Sequence, residues 1–149
     1  MGDLIVVNRR IEPDLSLLGV EGVEIYEEMN CCEDKIAIDV SEIILLKIVA
    51  WRSEYYLREA RSSSKHQIIF DLRIALEFIR QANNRRIKPP SLMASGVLAL
   101  GTTLKVGNSL AVPCVSKNGV WKIEPKRLDE AGCEKYRWSY IRKSTRLAL

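Results

Sequence analysis

Near the carboxyl end the chain reads "KYRWSYIRKSTR", Lys135 to Arg146, an interleaving of cations and aromatic rings. These residue types hold nucleic acid by meeting phosphates and stacking on bases. With a period of 2, Tyr136, Trp138 and Tyr140 share one strand face, and Lys135, Arg137 and Ser139 share the other. The aromatic face is expected in the core, which leaves Lys135, Arg137 and the trailing Arg142, Lys143 and Arg146 to track phosphates along a wet edge. Two more cationic groups stand upstream. Arg73 and Arg80 lie on the polar face of an expected helix, and Arg85, Arg86 and Lys88 in "NNRRIKPP" follow its end, on a corner stiffened by Pro89 and Pro90. Together these residues predict non-catalytic binding of RNA or single-stranded nucleic acid, mainly through backbone contacts.

Enzyme chemistry finds little to stand on. No phosphate-binding P-loop, dinucleotide Gly-x-Gly-x-x-Gly, Gly-x-Ser-x-Gly elbow or His-Glu-x-x-His occurs. The single histidine, His66, sits beside Lys65 where an exposed capping role is expected, with no third group to orient a dyad. Asp39 with Glu24 or Glu42 could gather a hard cation, but no clustered Asp-x-Asp spacing supports it. Cys31, Cys32, Cys114 and Cys133 have no Cys-x-x-Cys spacing, and the expectation is reduced, mostly buried thiols. No enzyme activity, cofactor or metal is therefore expected.

The formal net charge of +4 hides an asymmetry. Residues 1–64 carry 7 Lys/Arg against 13 Asp/Glu, and residues 65–149 carry 16 against 6. Such polarity fits three arrangements: halves that neutralise each other on folding, copies that associate acidic to basic, or a basic half turned to a polyanion. The second supplies the alternative to nucleic-acid binding, a matrix- or capsid-like self-assembling structural or adaptor protein. Self-association is expected in either case. The apolar run Ile43 to Trp51 is interrupted by Lys47 and is about half the ~20 residues of a bilayer span. Neither a signal peptide nor a myristoylation pattern is read at the start, so a cytoplasmic or nuclear location is expected, with contact to a membrane surface left open.

The elements that must position these groups follow from periodicity. "LIVV" (Leu4 to Val7), Val23 to Tyr26 and Lys35 to Val40 predict strands of a small sheet. Ser41 as N-cap predicts a helix to Ala60, and Ile68, Ile69, Leu72, Ala75, Leu76 and Ile79 predict a second from His66 to about Asn83. A third short helix is expected over Ser91 to Leu100. After it, Gly107-Asn108 and Asn118-Gly119 mark hairpin turns, and Pro113 predicts an edge strand or a bulge. "LKVGNSLAVP" with "WKIEP" resembles the DNA-binding and closing strands of the AbrB/MazE swapped-hairpin antitoxin family. That family usually places a helix between the two pieces; here only "CVSKNGV" separates them, and no function is carried over. The resulting expectation is one α+β domain over residues 1–149, two main helices plus one short helix packed on small, mostly antiparallel sheets.

Overall fold

The computed structural model describes residues 3–30, 35–130 and 132–142, with the backbone alone at Arg142. In chain order the elements are β1 (Leu4–Asn8), β2 (Val23–Glu28), β3 (Lys35–Asp39), β4 (Ile43–Lys47), α1 (Ser53–Ser63), β5 (Gln67–Ile69), α2 (Leu72–Asn83), β6 (Val97–Leu98), β7 (Thr102–Val106), β8 (Ser109–Asn118), β9 (Val120–Arg127) and β10 (Arg137–Arg142). β1 and β3 form an antiparallel ribbon of their own, and the other eight strands form one mixed sheet, whose parallel pair is β6 with β10. β8 organises it: β9 runs along one edge, and β7 and then β6 share the other. β10 is arranged likewise, with β4 on one side and β6 and β5 on the other.

This overturns the expected fold class. Among the described residues the helices are two and short, and most of the structure is a large mixed sheet rather than helices on small sheets. The error has one physical source. A short apolar run buried on both faces has no amphipathic period, so a strand and a core helix read alike. Ile43–Lys47 is such a run, and it pairs with β10 instead of coiling. Ser41 does not cap a helix: its backbone N–H and its hydroxyl both donate to the Asp39 carboxylate, at 2.9 and 2.7 Å. Ile68 and Ile69 point into two different cores, which makes Gln67–Ile69 a strand as well. α2 therefore starts not at His66 but after Asp71, whose carboxylate accepts the Ile74 N–H at 3.0 Å. The third helix shrinks to a 3-10 turn at Ser91–Ser95.

Both faces of the sheet are covered. Val115, Ile123 and Ile141 meet Ile74 and Phe78 of α2 and Ile5 and Ile38 of the ribbon, while Val112, Cys114 and Trp138 meet Tyr56 and Ala60 of α1. Pro113 stands in the central strand, contrary to expectation. Its carbonyl accepts the Ala99 N–H at 2.7 Å, and the Ala99 carbonyl, which a donor at position 113 would have met, instead accepts the Thr102 N–H at 3.3 Å in the turn between β6 and β7. Its cross-strand partner is Pro125, which by the same alternation turns its missing N–H to the open edge of β9.

Candidate nucleic-acid interface

The expected cations separate into distinct settings. Arg73 is half-buried and turned inward: its Nε donates to Glu28 at 2.9 Å and its Nη1 to the Ile11 carbonyl at 2.5 Å. Arg80 is exposed but grips Glu77 one turn before it. That hydrogen bond holds Glu77 below the usual carboxylate range against a smaller upward push from burial, and nearby Arg86 adds a weaker pull. Neither Arg73 nor Arg80 offers a free charge.

Arg85, Arg86 and Lys88 are different. All three are exposed, and none has a carboxylate of the described residues within salt-bridge distance of its side chain. The loop that carries them is fastened on both sides. Before it, the Asn83 side chain clamps the edge of β9, donating to the Trp121 carbonyl and accepting from the Trp121 N–H, both at 2.8 Å. Within it, Ile87 is buried among the core side chains and the Lys88 N–H donates to the Asp3 carboxylate at 2.7 Å. Arg85 itself takes a left-handed backbone, φ 58°, a place helix ends usually give to Gly or Asn. The Lys117 ammonium lies 5.9 Å over the ring of the clamped Trp121.

The β10 stretch is less open than the period-2 reading held. Trp138 is buried at 7% exposure, as expected, with Tyr136 and Tyr140 half-buried. The opposite face is not a wet one, however. Ser139 is fully buried with no hydrogen-bond partner for its hydroxyl among the described residues, Ile141 is core, and Arg137 is half-buried between β4 and β6. A strand with sheet neighbours on both edges and cores on both faces leaves little room for an exposed row. Lys135 is exposed, 5.1 Å from the centre of the Tyr136 ring, and Lys126 approaches the same ring at 5.6 Å. Burial alone would lower Lys126, but its hydrogen bonds to Tyr136 and Glu124 outweigh that and lift it above the ordinary lysine range. The Arg142 side chain, Lys143 and Arg146 lie outside the described residues, as do Cys31 and Cys32.

A second polar constellation, unexpected from sequence, lies under the start of α2. Asp71 is fully buried and receives Arg9 at 2.9 Å and Asn30 at 2.8 Å, while the Asn30 oxygen accepts the Ile69 N–H. Arg9 also donates to the Asn30 carbonyl at 3.0 Å. Gly101 lets this packing close, since a Cβ there would stand 2.8 Å from that of Asp71. Part-buried around the fully buried Asp71, the cluster ties the residues that follow β1 and β2 to β5 and the start of α2.

Asp39 holds its carboxylate on Ser41, and among the described residues no three His, Cys, Asp or Glu side chains converge as metal ligands would. No helix among the described residues is long and apolar enough to cross a membrane. Comparison with known proteins finds no family, no curated protein and no solved structure that matches the chain.

Proposed function

We propose that the protein binds RNA or single-stranded nucleic acid through phosphate contacts at the Arg85–Lys88 corner. One observation carries this reading: three exposed cations, none with a carboxylate of the described residues within ion-pair distance of its side chain, stand on a loop whose backbone is held by Asn83, Ile87 and Asp3. A cation already engaged by a carboxylate gains little from a phosphate, whereas an unpaired one releases condensed counterions on contact. The ion pairs that cross between the two halves, Arg9–Asp71 and Arg73–Glu28, lie elsewhere and do not engage these three side chains. Contacts of this kind select polyanions without reading base edges.

The test is a titration of fluorescent single-stranded RNA and DNA at increasing salt. Three phosphate contacts at ~0.7 each predict a slope of about −2 in log K against log salt, or about twentyfold weaker binding for a fourfold rise in salt. Replacing Arg85, Arg86 and Lys88 together by Glu should abolish binding while far-UV circular dichroism stays unchanged. Unaltered affinity in that variant refutes the assignment.

A further inference from the structure

Among the described residues β1 is bonded along one side only. Asp3 lies opposite Val40 and accepts its N–H at 2.8 Å, so Asp3, Ile5 and Val7 make the bonds to β3. By alternation the backbone groups of Leu4, Val6 and Asn8 point the other way. Asn8 uses its outward carbonyl to accept the Ile11 N–H, but Leu4 and Val6 have no strand on that side. A groove of about 530 Å³ follows this edge. It touches Val6, Val7 and Asn8 in succession and no residue of β3, and Leu76 and Ile79 of α2 form its far wall. Its apolar groups stand open: Val6 is 47%, Leu17 54% and Ile11 64% exposed. From Leu4 to Asn8 there is no charge, proline or bulge to discourage another strand.

We propose that this edge pairs with the same edge of a second copy, antiparallel about a two-fold axis at Val6, joining two ribbons into a four-stranded sheet. Only a polypeptide backbone repeats donors and acceptors at the spacing that Leu4 and Val6 offer. A two-fold axis at Val6 sets outward residue against outward residue, Val6 on the partner's Val6 and Leu4 on the partner's Asn8, which closes the contact as a dimer. It also brings the exposed Asp3 of each strand towards the exposed Arg10 of the other. The two α2 helices then run antiparallel. Val6, Ile11 and Leu17 lose their exposure to water together.

Sedimentation of the full chain across a concentration series tests this, beside hydrogen exchange over residues 4–8. The expected result is a monomer–dimer equilibrium in which the amides of Leu4 and Val6 gain protection as concentration rises. Val6→Lys places like charges across the axis and should weaken association about tenfold or more. Val6→Pro removes only the outward N–H, spares the bonds to β3, and should act the same way. An Arg85→Glu/Arg86→Glu variant, which spares the Lys88–Asp3 contact, should dimerise normally, and this separates the surface from the proposed binding corner. A dimer indifferent to both Val6 variants overturns the proposal. So does a monomer at every soluble concentration, which leaves the edge to an extended segment of another protein.

Discussion

Asp71 is the residue whose removal should most damage this fold without touching the surface. Its carboxylate faces Arg9, whose side chain is nearly buried and, among the described residues, has only Glu28, 3.7 Å away, as a second acid. Asp71→Asn keeps a good N-cap for α2 but strips the charge from a buried pair, a change that typically costs 3–5 kcal/mol. Because Arg9 retains Glu28 and the Asn30 carbonyl, the lower end applies, about 3 kcal/mol. Asp71→Ala also removes the cap over the Ile74 N–H and should cost about 1 kcal/mol more. Urea denaturation reads both as shifts in midpoint at constant slope. The diagnostic variant is Asp71→Asn combined with Arg9→Met, which withdraws both charges and should be more stable than Asp71→Asn alone. The reasoning fails if Asp71→Ala costs under about 1 kcal/mol, or if the double variant merely sums the single losses.

Burial pushes the Cys114 thiol up to about 12. The unfolded thiol loses its proton near pH 8.5, so the native state binds more protons above that point, and stability falls as pH rises towards 12, by up to about 1.4 kcal/mol per unit. Cys114→Ala should flatten the alkaline arm of the stability–pH curve; an unchanged arm would refute the assignment. Gly101→Ala should cost about 1–3 kcal/mol in a denaturant titration, because its Cβ meets Asp71 and the carbonyls of Ile69 and Phe70 within 3.1 Å. A neutral result would mean that the α2 start shifts freely.

Local chemistry made much of the chain legible. The strands at Leu4, Val23 and Lys35, the turns at Gly107-Asn108 and Asn118-Gly119, and the end of α2 at Asn83 all follow from period and turn residues. β4 and β5 were hidden because burial on both faces erases the alternation that marks a strand. Asp71, directly before the first periodic residue Leu72, carried the ordinary helix-start signal, and a start at His66 passed over it. The Arg85–Lys88 corner was legible as charge next to a helix end. That Arg73 would turn inward to Glu28 was not, since the pairing depends on where β2 lies, 45 residues away in sequence. Nor does sequence foretell the Asn83 clamp on Trp121, a contact between a helix end and a strand that meet only once the sheet has formed.

The facing prolines of β8 and β9 act on alternatives to the native state. Slipping β9 by one residue would turn Pro125 towards β8, where a donor is required, and would swing Trp121 and Ile123 out of the core in the same movement. The hairpin is thus penalised twice for a wrong register, once in hydrogen bonds and once in burial. In the native register Pro125, with Asn83 over Trp121, also denies the outer edge of β9 to a foreign strand. That border of the large sheet is closed, whereas among the described residues the β1 edge of the separate ribbon stands open.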